Sequence, residues 1–450
     1  MLRLVNPARR GRDAPPIFLT GSSRSYQKVG ETRTNRRQQM RRSVIEAPTW
    51  HEPAKREAIE LELQLITPMF GGGYKTREVD PILPIRPAPI RGHLRFWWRA
   101  TAGAQYASAE ELYKAETAIW GGAAVKNEAA TGKVAIEVVV LNQGEAAPYN
   151  QVAPRSTPRE GPKEGYFLFP FQEQRAHNIP AATGIKGVKF RLALFLDSSL
   201  SDQQRHQVRN ALKAWIAFGG VGARTRRGCG ALKVVGNAAS HWQLPHDKQQ
   251  LSAWLRQSVG EAASKTDLCP SLKGAQILVI SGFQDAKTAW SELGKFWARF
   301  RKGHFGQEYR PISGGKWRDY RQVLCKLPPE KSTIQLAKPY LGLPIIYQKI
   351  TGARNLCFTG NIEPAKSGRM ASPVIIKPVV LSNGQVAGLI TVLNAQQPTQ
   401  VRIENKTYNL SHPKQDPVIK ELGASSVFDA VIKAAQVHFK GKNIIQVGGV

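Results

Sequence analysis

Between Phe218 and Gly230 the chain places five glycines and three arginines within thirteen residues: Phe218-Gly219-Gly220-Val221-Gly222-Ala223-Arg224-Thr225-Arg226-Arg227-Gly228-Cys229-Gly230. A helix or strand carried through such a run loses about 0.5–1 kcal/mol at each glycine, so any fold must turn here. Glycine also admits positive φ and lets a partner come close to the backbone N–H groups. Arginine adds permanently charged planar donors that match phosphate oxygens. The stretch therefore reads as a phosphate cradle or as a basic surface turn.

Its flanks are regular. Upstream, Ser201 stands where a helix cap is needed, before an apolar face of Val208, Leu212, Trp215 and Ile216 that ends at Gly219-Gly220. Downstream, Ala231 to Val235 reads as a short strand. Earlier, Ile59, Leu61, Leu63 and Leu65 alternate with Glu60, Glu62 and Gln64, the period of a half-buried strand. Arg91 to Ala104 predicts a helix with Leu94, Trp97, Trp98 and Thr101 on one face, and Val134 to Leu141 and Val188 to Leu196 predict strands. A Pro/Gly/charged insertion occupies 142–186.

The order strand, helix, strand, strand, helix, strand is that of a ferredoxin-like unit, the frame also used by RRM domains. A second copy is expected downstream: Ala275 to Phe283, Thr288 to Arg301, Leu356 to Ile362, a hairpin of Val374 to Leu381 and Val386 to Leu393 about Asn383-Gly384, Val427 to Phe439, and Ile444 to Val447. The expected fold is α+β: two tandem ferredoxin-like domains over 56–240 and 273–450, a linker over 241–272, and a disordered basic arm over 1–55.

Formal net charge is +31, and residues 1–50 hold eleven Lys/Arg against Asp13, Glu31 and Glu46, leaving +23 on the remainder. That excess favours nucleic acid as partner, since neutralising phosphates releases counterions. An anionic membrane surface is the competing polyanion, but a basic amphipathic stretch with an exposed Leu/Phe face is missing. No run of eighteen apolar residues and no signal-peptide pattern occurs, so a cytoplasmic protein is expected. The four cysteines lie more than thirty residues apart, so neither a zinc site nor a disulfide framework is expected. No cofactor is indicated.

Arg91, Arg95 and Arg99 share one helix face, and no acid lies between Asp80 and Glu110 to offset them. Arg205, Arg209 and Lys213 repeat that stripe in a segment, Gln203 to His246, free of Asp and Glu. Two such stripes, the second feeding the Gly/Arg loop, suggest one continuous phosphate-tracking surface. A third acid-free stretch, Pro364 to Ile403, carries Lys366, Arg369, Lys377 and Arg402, preceded by Arg299, Arg301, His304, Phe305, Tyr309, Arg310, Lys316, Trp317 and Arg318. Interleaved arginines and aromatics suit single-stranded RNA. An enzyme remains an alternative: His93 as general base on a ribose hydroxyl, or Asp80 supporting metal-assisted cleavage.

Specific blocks carry a further signal. Ile66-Thr67-Pro68-Met69-Phe70-Gly71-Gly72, with Arg86-Pro87 and Ile90-Arg91-Gly92-His93-Leu94-Arg95-Phe96-Trp97-Trp98-Arg99-Ala100, resemble the N-terminal signature of a CRISPR RAMP family, the first RAMP subunit of the type III-B (Cmr) effector. Phe218 to Leu232 looks like its glycine-rich loop, and Leu341-Gly342-Leu343-Pro344 and Arg369-Met370-Ala371-Ser372-Pro373 are similar to its C-terminal blocks. The resemblance implies two ferredoxin-like domains and a non-catalytic subunit that helps capture target RNA near the guide's 3′ end. Guide CRISPR RNA, target RNA and other RAMP subunits are the implied partners. The expected RNA contacts are Arg91, Gly92, His93, Arg95, Arg99, Gly219, Gly220, Gly222, Arg224, Arg226, Arg227, Gly228, Arg301, Arg318 and Arg369.

Overall fold

A computed structural model describes residues 57–122, 131–154, 163–237, 239–260, 268–303, 317, 319, 327–351, 357–366 and 368–448. The basic arm expected over 1–55 lies outside the described residues. Strand β1 (Glu57–Leu65) buries Ile59, Leu61, Leu63 and Leu65 and turns Glu60 to solvent, as its alternation requires. Helix α1 (Pro87–Thr101) begins four residues before the expected start, because Pro87 supplies the preset φ of a first helical position. Helix α2 (Ala109–Trp120) follows, capped by Ser108.

Four strands form the first sheet: β1, β2 (Val134–Asn142), β5 (Lys189–Leu196) and β6 (Leu232–Val235), in the order β2-β5-β1-β6 with every pair antiparallel. Helix α3 (Asp202–Phe218) joins β5 to β6 and starts with a capping box between Ser201 and Gln204. Inside the 142–186 insertion, β3 (Glu145–Pro148) and β4 (Thr183–Lys186) pair as a small ribbon.

After α4 (Lys248–Val259) the same strand order returns. Strands β7 (Ser271–Ile280), β11 (Val374–Val380), β12 (Val386–Asn394) and β15 (Ile444–Gly448) form an antiparallel sheet, β11-β12-β7-β15, with α5 (Ala286–Arg301) after β7 and α6 (Val427–His438) after β12. Strand β10 (Cys357–Pro364), expected within that unit, leaves it. It joins a five-stranded sheet between β9 (Ile345–Thr351) and β13 (Gln400–Ile403), with β14 (Lys406–Ser411) and β8 (Thr333–Gln335) beyond. Its residues specify an extended segment, but pairing is chosen by non-local contacts.

The second four-stranded sheet is buried on both faces. Ile277, Val279, Ile375, Val379 and Leu389 share a core with Leu94 of α1 and Trp215 of α3. Leu278, Ile280, Val374, Ile376 and Ile390 share the other with Trp290 and Phe296 of α5 and Val431 of α6. Two-sided burial explains why β11 and β12 read as nearly unbroken apolar runs. Residues 56–450 accordingly cluster as one compact unit. No helix among the described residues is long and apolar enough to cross a membrane.

One cation interrupts this interior. Lys377 of β11 is fully buried and donates to the carbonyls of Ile216 (3.1 Å) and Gly219 (2.8 Å) at the C-terminus of α3. Burial pulls its ammonium down to about 7, so the unfolded chain holds this proton up to its ordinary value while the folded chain releases it near neutrality. Between those values the unfolded state binds more protons, and stability rises with pH. In urea unfolding from pH 7 to 10, wild type should gain on Lys377→Met by up to about 1.4 kcal/mol per pH unit. Parallel curves would refute the lowered Lys377 ammonium.

Candidate nucleic-acid interface

The Gly/Arg loop closes the end of the first sheet by packing against the loop after β1. Ala223 N–H donates to Phe70 O (2.8 Å), Gly230 N–H to Pro68 O (2.9 Å), and the Thr67 hydroxyl to Gly228 O (2.6 Å). Positive φ at Gly222 (78°) and Gly228 (76°) makes these turns. A Cβ on Gly222 would lie 2.4 Å from Met69 Cγ, and one on Gly228 2.9 Å from the Trp290 ring. Gly219 and Gly220 are buried as well. The close approach these glycines permit is made by the protein itself.

The arginines reach into the second half. Arg227, 8% exposed, donates to Val374 O (2.5 Å) and lies 4.8 Å from the centre of the Trp297 ring. Trp290 Nε1 returns a bond to Arg227 O at 2.8 Å. Arg226 donates to Ser372 O and stacks 5.3 Å from Phe96. Arg224 stays exposed, in left-handed backbone (φ 61°), while its Nε donates to Phe167 O (2.9 Å) from the insertion. Burial first, then Arg224, Arg301 and Arg226, hold the Arg227 guanidinium well below its usual range. Arg301, half-buried in the last turn of α5, thus joins three loop arginines into a cluster of one sign. Burial pushes the adjacent Cys229 thiol up to about 12, against the pull of Arg224 and Arg227, which removes it as a nucleophile.

The two basic stripes, expected bare, are compensated in space. Glu116 of α2, itself buried, accepts from Arg95 Nε (2.5 Å) and offers both oxygens to Arg99 Nη1 (2.7 and 2.8 Å), while Arg91 donates to Trp120 O (3.3 Å). Glu57 accepts from Arg205 (2.8 Å) and pairs with Arg209, and Lys213 lies 5.7 Å from the Trp242 ring centre. The Arg91/Arg95/Arg99 face engages α2, while Arg226 stacks on Phe96 of that same helix α1, Arg227 enters the second half and Arg224 meets the insertion. Gly92 is exposed. His93 is half-buried with its ring 6.4 Å from Trp215, and desolvation lowers its pKa. Asp80 caps its own turn, accepting from Leu83 N–H (2.9 Å) and Ile82 N–H (3.0 Å), which holds its carboxyl low. Arg369 is exposed three residues before the Ser372 carbonyl that anchors Arg226. Arg318, with His304, Phe305, Tyr309, Arg310 and Lys316, lies outside the described residues. Among the described residues no three His, Cys, Asp or Glu side chains gather as metal ligands.

Two contributors escaped sequence reading. Tyr166 and Phe167 of the insertion reach the arginines through a fold no local pattern announces. Lys377 was visible as a lysine inside the apolar run Val374-Ile375-Ile376-Lys377-Pro378-Val379-Val380, a signal of a buried, carbonyl-bound cation.

A model of the RAMP superfamily matches residues 62–233, from β1 through the Gly/Arg loop into β6. The CRISPR system Cmr subunit Cmr1-2 of Pyrococcus furiosus is 30% identical over 190 residues, which cover 40% of this chain and 95% of that protein. The chain belongs to the Cmr1 family of RAMP proteins. The crystal structure of apo Cmr1 from Pyrococcus furiosus superposes with a TM-score of 0.53 at 17% identity, covering 88% of this chain and all of that one, so the RAMP fold extends beyond the matched segment. A chain in the cryo-EM structure of the type III-B Cmr-β complex bound to cognate target RNA gives 0.49 at 12% identity, over 85% and 100% of the two chains.

The packing role of the loop glycines in this RAMP protein has a direct consequence. Gly222→Ala adds a strained φ and a contact with Met69, and should cost about 1–3 kcal/mol in chemical unfolding without RNA present. Unchanged stability would refute that role.

Proposed function

We propose that this chain is a non-catalytic RNA-binding subunit of a type III-B CRISPR ribonucleoprotein, built from two ferredoxin-like halves and working in the cytoplasm. It holds single-stranded RNA at the seam between the halves and helps capture target RNA near the 3′ end of the guide, beside other RAMP subunits. The observation that carries this reading is the cluster of Arg224, Arg226, Arg227 and Arg301: among the described residues, the charged neighbours acting on its buried member are cations. Like charges held together are strained until an anion joins them, and phosphates supply that anion with geometry suited to guanidinium. Arg224, exposed though its Nε is held by Phe167 O, and the half-buried Arg301 make the phosphate contacts, while Arg226 and Arg227 are held by Ser372 and Val374 and Arg369 extends the surface.

Arg91, Arg95 and Arg99 contribute long-range potential while bracing α1 against α2. His93 against Trp215 and Asp80 in its turn support a holding role over cleavage. Membership of the Cmr1 family supports assembly with other subunits.

In salt titrations, Arg224→Ala/Arg301→Ala should weaken binding of unrelated single-stranded RNAs alike and shallow the log K against log salt slope by about 1.4, for two lost contacts. An unchanged slope would overturn the assignment. Purified protein should also leave repeat RNA intact with and without divalent metal; cleavage lost in His93→Ala would sink the non-catalytic reading.

A further inference from the structure

The insertion over 142–186 encloses an open cleft of about 1030 Å³. Its walls carry three rings, Tyr149, Tyr166 and Phe169, and two amides, Asn150 and Gln172. Lys163 and Arg175 stand among them, and the lining carboxylate among the described residues, Glu173, is paired with Arg175 at 2.9 Å. We infer that this cleft receives an unpaired nucleobase of the RNA strand whose phosphates lie on the arginine cluster. The inference rests on the RNA-binding reading above and adds to it a second subsite.

The chemistry of the lining favours a base. Phe169 is 53% exposed, a large ring left in water beside two half-buried tyrosines. Every base presents a π-face to such rings, and side-chain amides match the donor and acceptor edges of a base. The Arg175–Glu173 pair is solvent-exposed, so it contributes little to stability and its guanidinium can exchange carboxylate for phosphate. The volume stands at the upper end of the usual range for ligand sites, about 300–1,000 Å³, enough for a nucleotide with its water.

Placement ties the cleft to the cluster. Tyr166 lines the cleft from the turn Glu164–Phe167 that meets Arg224. The next residue, Phe167, receives Arg224 through its carbonyl and stacks 6.4 Å from Trp290. The turn Glu164–Phe167 sits flush on α5, where a Cβ at Gly294 would lie 2.7 Å from Lys163 O. The opposite wall is clamped by Arg77, whose guanidinium donates to Pro170 O (2.6 Å), Phe171 O (3.2 Å), Gln172 O (3.0 Å) and Pro180 O (2.8 Å). A site held this way binds without first ordering its walls.

The test uses the full chain and single-stranded RNA carrying 2-aminopurine at successive positions. Wild type should quench one position, and Phe169→Ala should abolish that quenching and weaken binding about 5- to 150-fold, the worth of one stacked base. Gly165→Leu, whose Cβ would meet Tyr149 Oη at 3.6 Å and Ala153 Cβ at 3.8 Å, ordinary contact distances, should plug the cleft with the same result. Quenching and affinity unchanged in Phe169→Ala and Gly165→Leu would overturn the inference. So would variants that lose a protein partner in pull-downs yet bind RNA normally. The salt slope separates the two readings: if Arg224→Ala/Arg301→Ala shallows it while the cleft variants do nothing, the cleft assignment alone falls. If wild type binds no RNA, both fall.

Discussion

Among the described residues two buried basic side chains, Lys377 and Arg227, link the halves, and neither has a carboxylate for a partner. Lys377 rises from the second sheet into the C-terminal carbonyls of α3, where the helix dipole is negative and where unsatisfied C=O groups need donors. Arg227 leaves the loop after that helix and enters the second half at Val374. One cation crosses in each direction, three residues apart along β11. An unpaired buried charge is costly, so each fixes the distance and rotation at which its carbonyls can be reached. Carbonyls satisfy a cation without introducing an acid that would cancel the positive field nearby.

That arrangement explains the glycine content better than flexibility does. The loop must release α3, present Gly219 O to Lys377, turn back to meet Phe70, and deliver the Arg227 guanidinium to a place beside Trp290 and Trp297. Side chains at Gly222 or Gly228 would occupy the space that Met69 and Trp290 fill. The glycines make a rigid, dense joint, and the arginines they carry are held in place before any ligand arrives.

What was legible in the chain was local. Alternation at Ile59 to Leu65 gave the period of β1, Ser201 marked the start of α3, and Asn383-Gly384 marked the β11–β12 turn, where Gly384 takes φ 82°. Partners were not legible. Glu116 lies 21 and 17 residues from Arg95 and Arg99, and Glu57 lies 148 from Arg205. A stripe that looked uncompensated therefore acquired its acids only once the chain folded. Strand β10 went to another sheet for the same reason, since an extended segment does not encode its neighbour.

The site follows the same division. Arg224, Arg226 and Arg227 announced themselves through charge and glycine, but their unequal fates came from the seam: one guanidinium buried, one half-buried, one exposed. The exposed Arg224 is also the one bound to the insertion, so the least regular segment of the first half is attached to the most constrained loop. Coupling them this way lets a mobile polyanion meet prearranged donors on a joint that costs nothing further to order. The cations already committed to carbonyls keep the others apart, which makes an incoming phosphate the natural completion of the cluster.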